Sequence, residues 1–460
     1  MKEERILLID PFCKNPKYES PNAKLGYTSA VLESKGYDTK IMDFLINNIE
    51  EIEEDEYINL KNNFLNEIIK EADKYKYVYI NCEYGLLKTC LDIARLLPNN
   101  IVIVGGTFTN YLYAANQLKI ENLTGINYIS LGDPEVDVLN IVKGKETFII
   151  KENKNTSFYN SGMIEKLDDI PYPNWNKYDL TKYDGKLYLV ASKSCSYNKC
   201  KFCDERLIWG NRFRIRDYIN IVDEIKYNIE KYNINQFFFW DASITAYPYI
   251  KELCNKIIEE KIDCSWTALI RADELTDELA KLMKKAGCYS IEVGIESLND
   301  NILNSMNKGE NVETIKNAIN ILKTNDIIVE GSFLIGYYDD YEESILSTIE
   351  KSKELDIDFY RWHNLELAAE YLLRNPDVID VKWHELDLNY PNQFLSKKII
   401  NNIGGYFDMH IVSKMGNSIP EKYPNIKIGN LTLEKIHELT RKAIEETEDL
   451  VTEEGHNPYI

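Results

Sequence analysis

The sequence predicts an α/β protein built from two successive series of parallel strands and helices. Three observations support this prediction. Five short apolar strands alternate with helical stretches over residues 1–150, six more strand–helix units occupy 186–367, and no run of 18 apolar residues interrupts the 460-residue chain. We therefore predict an N-terminal Rossmann-like, doubly wound parallel sheet, then a partial (β/α)6 barrel, and last a small, mainly helical C-terminal region over 368–460.

The first series, residues 1–150, forms the predicted N-terminal domain. Its strands read RILLID (5–10), TKIMDF (39–44), YVYIN (77–81), IVIVGG (101–106) and YISLG (128–132). Continuous apolar strands separated by helices are typical of a parallel sheet covered on both faces, and ligands bind such sheets at the carboxyl ends of the strands. Residues 151–185 begin polar and end rich in proline and aromatics, which predicts an ordered connector.

The second series, residues 186–367, has six predicted strands. They read LYLVAS (187–192), QFFFWD (236–241), SWTALI (265–270), SIEVGI (290–295), IIVEGSFLI (327–335) and DFYRWHNLEL (358–367). A complete eight-stranded barrel typically needs about 250 residues, so six units indicate an incomplete one, with functional residues at the carboxyl ends of its strands. Residues 368–460 carry two predicted helices near the end, and substrate selectivity can reside there.

The charge of the chain narrows its possible partners. Its 54 Lys and Arg residues against 75 Asp and Glu give a net charge of −21, which repels nucleic-acid backbones. The opening MKEERILLIDPF lacks the basic and apolar regions of a signal peptide. We therefore expect a cytoplasmic protein with neither a nucleic-acid nor a membrane partner.

Nine cysteines, an odd number in a chain of cytosolic character, indicate metal or redox use rather than a disulfide framework. Buried free cysteine behaves as a small hydrophobe, and we expect that of the six scattered residues. These are Cys13, Cys82, Cys90, Cys254, Cys264 and Cys288.

The other three, Cys195, Cys200 and Cys203, lie in a loop directly after the first strand of the second series. Structural zinc requires four ligands, and no histidine occurs before His363. Three thiolates on a [4Fe–4S] cluster leave one iron open for an external ligand. The residues favour the cluster and leave zinc as the alternative.

The loop SKSCSYNKCKFC (192–203) resembles the CxxxCxxC signature of radical S-adenosylmethionine (radical SAM) enzymes, with one extra residue between Cys195 and Cys200. Four further stretches resemble segments of that family and occur in the same order along the chain. They are FRIRDYINIVDEIKYNI (213–229), FFFWDAS (237–243), WTALIRADELTDELAKLMKKAGCYSIEVGIESLNDNILNSMNKG (266–309) and GSFLIGYYDDYEES (331–344). Because the loop wraps a cluster, we expect residues 196–199 to bulge outward while the three thiolates still converge.

The resemblance implies roles for individual residues. Cys195, Cys200 and Cys203 would ligate the cluster at which SAM is cleaved, and Phe202 would pack near the adenine of SAM. Residues at strand ends would bind the rest of SAM. They are Asp241 for the methionyl amine, Arg271 for the carboxylate, and Glu296 with Ser297 for the ribose or carboxylate.

The N-terminal series resembles the cobalamin-binding domain that a subclass of radical SAM enzymes carries. The resemblance rests on ILLIDPF, LGYTSAVLESKGYDTKIMDF, IVIVGGTFTN and YISLGDPEVDVLNIV. It implies that Gly105, Gly106 and Thr107 approach the nucleotide tail of cobalamin. Since residues 1–362 contain no histidine, this domain cannot supply a histidine as the lower axial ligand.

The implied activity is reductive cleavage of SAM followed by methyl transfer from methylcobalamin to an unactivated carbon of a small molecule or peptide. An enzyme with this activity would work in the absence of oxygen and would receive electrons from an external donor such as flavodoxin or ferredoxin. One alternative is a radical SAM cyclase, epimerase or rearrangement enzyme that transfers no methyl group. Another is a non-catalytic iron–sulfur binding or electron-transfer protein. Arg361 and His363, on the last strand, are more simply explained by packing than by substrate contact.

Overall fold

A computed structural model describes residues 5–14, 20–47, 52–83, 85–365, 382, 384, 426–447 and 450. The chain divides into two compact units. Unit 1 comprises Met1–Asp184 with Leu372–Phe394, and unit 2 comprises Gly185–Tyr371 with Leu395–Ile460. In the ranges described, no helix combines the length and apolarity needed to cross a membrane.

Unit 1 is built on a seven-stranded sheet. Its strands are β1 (Arg5–Lys14), β2 (Asp38–Leu45), β3 (Tyr77–Asn81), β4 (Ile101–Gly105), β5 (Tyr128–Ser130), β6 (Ile149–Glu152) and β7 (Ser157–Tyr159). The spatial order is β2-β1-β3-β4-β5-β7-β6, and only the β6–β7 pair is antiparallel. Strand β1 lies between β2 and β3, so the strand order reverses there, and open parallel sheets bind ligands at such a point.

Helices connect the parallel strands of unit 1, as parallel pairing requires. They are α1 (Ala23–Ser34), α2 (Glu54–Ala72), α3 (Leu87–Arg95), α4 (Thr107–Ala114) and α5 (Pro134–Val142). The side chain of Asn22 caps α1 by accepting a hydrogen bond from the Leu25 backbone N–H at 3.2 Å.

The predicted connector, residues 151–185, differs from expectation in its first part. Strand β7 pairs with β5 and buries Phe158 and Tyr159, so this segment completes the sheet of unit 1. Its polar sequence hides the strand because few of its residues face the core. Further along, Trp175 is fully buried, and a side chain at Gly26 would lie 3.0 Å from Pro173. The rest of the connector therefore packs on α1.

Unit 2 contains a six-stranded sheet in which every pair is parallel and the spatial order follows the chain. Its strands are β8 (Lys186–Leu189), β11 (Gln236–Phe239), β12 (Ser265–Ile270), β13 (Cys288–Glu296), β14 (Ile328–Ile335) and β15 (Phe359–Asn364). Strands β9 (Ser192–Lys193) and β10 (Arg214–Ile215) form a separate antiparallel pair, as do β16 (Lys427–Ile428) and β17 (Leu431–Thr432).

Helices alternate with these strands. They are α6 (Glu205–Ile208), α7 (Tyr218–Tyr232), α8 (Ile250–Glu259), α9 (Asp277–Lys285), α10 (Asp300–Ser305), α11 (Val312–Thr324), α12 (Glu342–Ser352) and α13 (Leu433–Thr447). Side chains of Asp217, Thr276 and Asn311 cap α7, α9 and α11. Helix α13 contacts β15, where the Trp362 Nε1–H donates to Thr447 Oγ1 at 3.0 Å.

The predicted mixed α/β fold with parallel sheets is confirmed. Closure of the second sheet into a partial barrel and the doubly wound arrangement of the first stay predictions. Of the predicted C-terminal region over 368–460, residues 368–381, 383, 385–425, 448–449 and 451–460 lie outside the described residues.

Candidate active site

The three-cysteine loop follows β8 and β9 and precedes α6, at the carboxyl end of the first strand of the unit 2 sheet. Cys195, Cys200 and Cys203 are all partly exposed, and none forms a disulfide. Ser194 (φ 70°) and Asn198 (φ 50°) adopt left-handed backbone conformations that let the chain turn sharply around the thiols.

Asp241, directly beyond β11, fixes the start of the loop. Its Oδ2 accepts a hydrogen bond from the Ala191 backbone N–H at 3.0 Å, and its Oδ1 accepts from the backbone N–H and hydroxyl of Ser192. Burial raises the pKa of the Asp241 carboxyl to about 6, although these hydrogen bonds lower it. Asp241 therefore positions the backbone that leads into the cysteines, and its predicted contact with the methionyl amine stays a prediction.

The far side of the loop is held by the segment after α10. The Lys201 backbone N–H donates to the Met306 carbonyl at 2.8 Å, and Asn307 Nδ2 donates to the Lys199 carbonyl at 3.0 Å. The Tyr197 hydroxyl donates to the Asn307 carbonyl at 2.9 Å. Of the stretch expected to bulge outward, Ser196 and Lys199 are exposed, whereas Tyr197 and Asn198 are partly buried.

Arg271, at the end of β12, is buried beside this loop. Its Nη1 lies 3.9 Å from Cys200 Sγ, and its guanidinium lies 4.0 Å from the centre of the Tyr197 ring. Its Nη2 donates to Asp273 Oδ2 at 3.0 Å and to the Lys308 carbonyl at 2.8 Å. The Arg271 guanidinium is therefore bound by groups of this chain at both outer nitrogens and on one face.

Glu296 ends β13 in a left-handed conformation (φ 62°), which is costly for a residue with a side chain. The register between β13 and β14 shifts between Gly294 and Glu296, so a bulge turns Glu296 out of the regular ladder. Its Oε1 lies 3.5 Å from Lys308 Nζ, and burial raises the pKa of its carboxyl. Strain of this kind at a strand end is typical of functional sites.

A buried charge cluster adjoins Glu296. Lys308 Nζ lies 2.9 Å from Glu310 Oε2, and both side chains are almost wholly buried. Burial opposes the charge of Lys308, but Glu296 and Glu310 outweigh it and raise the Lys308 pKa. Ser297, directly after Glu296, has its hydroxyl 3.3 Å from Thr348 Oγ1. Phe202 lies in the three-cysteine loop and is partly exposed.

The residues of the loop suit an iron–sulfur cluster by their donor chemistry. A radical SAM cluster takes one thiolate on each of three irons, and the loop offers three thiols outside any disulfide. Burial raises the pKa of Cys200 to about 11, although the Lys308 and Arg271 cations lower it, so ligation would release the thiol proton. Within the described residues, no three His, Cys, Asp or Glu side chains are arranged around a single metal ion. Ligation by the three cysteines stays a prediction.

In unit 1, Gly105 is the last residue of β4 and Gly106 follows it, at the carboxyl edge of the sheet. A side chain at Gly105 would lie 2.7 Å from Ser130 Cβ, and one at Gly106 would lie 2.8 Å from the Cys82 carbonyl oxygen. Gly106 also has φ 138°, a conformation that other residues rarely adopt. The packing of the chain on itself therefore requires both glycines, which fits a tight strand-to-helix turn as well as the close ligand approach that the resemblance implies.

Polar side chains meet at this edge where the strand order reverses. Lys24 Nζ lies 2.8 Å from Glu83 Oε1 and donates to Thr107 Oγ1. Asn81 Nδ2 donates to the same Glu83 oxygen at 3.1 Å and lies 3.4 Å from Asp10 Oδ1. Among the described residues, this edge therefore presents amine, amide, hydroxyl and carboxylate groups, and residues 1–150 contain no histidine.

Sequence reasoning missed Tyr197, Lys24, Lys308 and Glu310. Lysine and glutamate are most often exposed, and nothing in their local sequence reveals that these are buried. The sequence offered one signal. The stretch between Cys195 and Cys200 is one residue longer than in the signature, and it contains an aromatic residue, Tyr197.

Comparison with known proteins agrees with this architecture. Residues 189–351 match the model of the radical SAM superfamily. The chain is 26% identical over 321 residues to the uncharacterized methyltransferase PH0819 of Pyrococcus horikoshii, a match that covers 65% of this chain and 68% of that protein. It is 25% identical over 395 residues to the anaerobic magnesium-protoporphyrin IX monomethyl ester cyclase of Rubrivivax gelatinosus, covering 78% of this chain and 67% of the cyclase.

Among solved structures, the fold is similar to that of the radical S-adenosylmethionine methyltransferase TsrM from Kitasatospora setae, determined with cobalamin and a [4Fe–4S] cluster bound. The TM-score is 0.61 at 17% identity, over 78% of this chain and 75% of TsrM. The chain thus carries a radical SAM domain, which implies a [4Fe–4S] cluster and SAM as cofactors. The predicted resemblance to radical SAM enzymes with an N-terminal cobalamin-binding domain is confirmed.

Proposed function

We propose that this chain is a cobalamin-dependent radical SAM enzyme that methylates an unactivated carbon of a small molecule or peptide. The observation that carries the proposal is the three-cysteine loop at the carboxyl edge of the six-stranded parallel sheet. Asp241 holds the start of this loop and the segment from Met306 holds its far side. An external donor such as flavodoxin or ferredoxin would supply the electron.

Cys195, Cys200 and Cys203 would hold the cluster, and the fourth iron would be open to SAM. When bound, the cluster and SAM supply a radical that abstracts hydrogen from carbon, and cobalamin supplies the methyl group; the protein binds, orients and excludes water. Phe202, Glu296 and Ser297 are the proposed SAM contacts, since each lies in the loop or at the end of β13.

The carboxyl edge of the unit 1 sheet is the proposed cobalamin site. Gly105, Gly106 and Thr107 lie there, and Lys24 donates to the Thr107 hydroxyl. The bound cobalamin of TsrM, which has a similar fold, supports this assignment. Because no histidine precedes His363, the N-terminal domain over residues 1–150 would hold cobalamin without supplying a histidine lower ligand.

The cluster is tested by anaerobic reconstitution of the full chain with iron and sulfide. We expect Cys200→Ala to lose most of the SAM-derived 5′-deoxyadenosine that the wild type forms under a strong reductant. Cys264→Ala is the matched control, since it removes a thiol that lies outside the loop, and its iron content and deoxyadenosine yield should stay near wild type. Undiminished deoxyadenosine formation by Cys200→Ala would refute the cluster assignment.

The cobalamin assignment is tested by its visible spectrum. Full-length protein incubated with hydroxocobalamin and freed of excess should retain the corrinoid, as its visible absorption bands show. With methyl-labelled SAM and reductant, we expect the label to reach the bound cobalamin even without a substrate. Protein that retains no corrinoid would contradict the proposal.

A second candidate, a radical SAM cyclase that transfers no methyl group, is favoured by the likeness to the Rubrivivax gelatinosus cyclase over 78% of this chain. The same labelling experiment separates the two. Deoxyadenosine formation without transfer of label to bound cobalamin would favour the cyclase.

A further inference from the structure

Each outer nitrogen of Arg271 has its own partners. Nη2 donates to the Asp273 carboxylate and to the Lys308 carbonyl and lies 3.7 Å from Glu310 Oε1. Nη1 lies 3.9 Å from Cys200 Sγ, within hydrogen-bonding range of sulfur. The acidic groups therefore fix the guanidinium through Nη2, while Nη1 is directed at the thiol.

Tyr197 covers the same guanidinium. Its ring centre lies 4.0 Å from the Arg271 guanidinium carbon, a cation–π contact, and its hydroxyl is fixed by the Asn307 carbonyl at 2.9 Å. A side chain at Gly309 (φ 78°) would lie 2.5 Å from the Tyr197 hydroxyl, so this glycine makes room for the ring. Tyr197 belongs to the stretch between Cys195 and Cys200 that is one residue longer than the signature.

A hydrogen bond to a ligating sulfur stabilises the more negative, reduced state of an iron–sulfur cluster and so raises its reduction potential. The reduction in question adds one electron, from the external donor, to the cluster and transfers no proton. A buried cation acts strongly at this distance because little water screens it, and Arg271 is buried. Asp273 and Glu310 offset part of its charge but leave the Nη1 donor directed at Cys200.

We infer that Arg271 is a positioning residue for the cluster rather than the SAM carboxylate ligand that the family resemblance implies. It raises the reduction potential by donating a hydrogen bond from Nη1 to the Cys200 thiolate. The extra residue of the cysteine loop serves this interaction by placing Tyr197 over the guanidinium. The inference rests on the proposed function, since it requires the cluster.

The test is a potentiometric titration of the reconstituted full chain, followed by the electron paramagnetic resonance of the reduced cluster, without SAM. At a fixed potential, Arg271→Gln should lower the ratio of reduced to oxidised cluster at least tenfold, which is about 59 mV for one electron. Tyr197→Leu should shift it the same way but less, and Arg271→Lys should recover part of the loss. Lys199→Gln is the control. It removes a cation from the same loop that lies 5.6 Å from the centre of the Tyr197 ring but is exposed and screened by water, so its shift should be smaller than either.

Each result decides the question. Variants of Arg271 and Tyr197 that hold wild-type iron and titrate at the wild-type potential overturn the inference. So does an Arg271→Gln protein that keeps its potential but loses calorimetric SAM binding, because Arg271 would then serve SAM. Should Arg271→Gln not fold, Arg271→Lys and Tyr197→Leu carry the same comparison. A wild-type chain that takes up no cluster overturns the proposed function, and this inference with it.

Discussion

Gly106→Ala tests whether the glycine pair after β4 is required by packing of the chain on itself. Gly106 has φ 138° and ψ −172°, a combination that is nearly exclusive to glycine and costs other residues about 1–3 kcal/mol. The added methyl group would also lie 2.8 Å from the Cys82 carbonyl oxygen and 3.0 Å from the Cys82 nitrogen. Because those are backbone atoms of the adjoining strand end, they cannot rotate away, and overpacking adds about 1–3 kcal/mol.

We therefore expect Gly106→Ala to lower the local opening free energy of unit 1 by about 2–6 kcal/mol. Gly144→Ala is the matched control, since Gly144 also has a positive φ (69°) but would place its methyl group with no atom within 4 Å. It should cost only about 1–2 kcal/mol, the penalty of a left-handed conformation.

Hydrogen exchange followed by mass spectrometry measures this change locally. Peptides covering β3 and β4 should exchange at least tenfold faster in Gly106→Ala than in Gly144→Ala, and peptides covering β12 in unit 2 serve as the internal reference. Equal exchange of β3 and β4 in the two variants would refute the packing account, and would return Gly106 to a purely ligand-related role.

Two further predictions concern unit 2. Asp241→Ala leaves the backbone N–H groups of Ala191 and Ser192 buried without an acceptor. We therefore expect it to lower the unfolding free energy by about 2–5 kcal/mol and to reduce iron uptake. Asp263→Ala, which removes an exposed carboxylate, is the control and should change neither quantity. Urea unfolding followed by tryptophan fluorescence, with iron analysis after reconstitution, checks this, and wild-type values for Asp241→Ala would contradict it. Burial raises the pKa of Glu292, so its contribution is greatest below the ordinary pKa of glutamate and is lost as pH rises through the folded-state pKa. Glu292→Gln should flatten the decline of the unfolding free energy between mildly acidic and neutral pH by at most about 1.4 kcal/mol per pH unit. An unchanged pH profile of urea unfolding would disprove this.

Most strands could be predicted because their signal is local. The run SWTALI coincides with β12, and YVYIN coincides with β3, which is buried at every position. Continuous apolar runs of this length suit a strand covered on both faces. Strand β7 escaped prediction because its preceding residues are polar, and only pairing with β5 makes it a strand.

The candidate site divides in the same way. The spacing of Cys195, Cys200 and Cys203 and the strand-end position of Glu296 are visible in the sequence. The direction in which Arg271 points is not, because its partners Tyr197 and Lys308 are 74 and 37 residues away along the chain. Likewise, the sequence could mark Asp241 as a strand-end carboxylate but could not show that its oxygens accept hydrogen bonds from Ala191 and Ser192.

By itself, the sequence determined the order of most strands and helices, the parallel character of the β1–β5 strands and of the six-stranded sheet, and the spacing of the three cysteines. Each follows from short-range periodicity or from residue types at fixed spacing. Only the tertiary structure decided which charges are buried and which groups face them. Burial of Lys308 with Glu310, the fit of Gly106 against Cys82 and the approach of Arg271 to Cys200 depend on segments that only folding brings together.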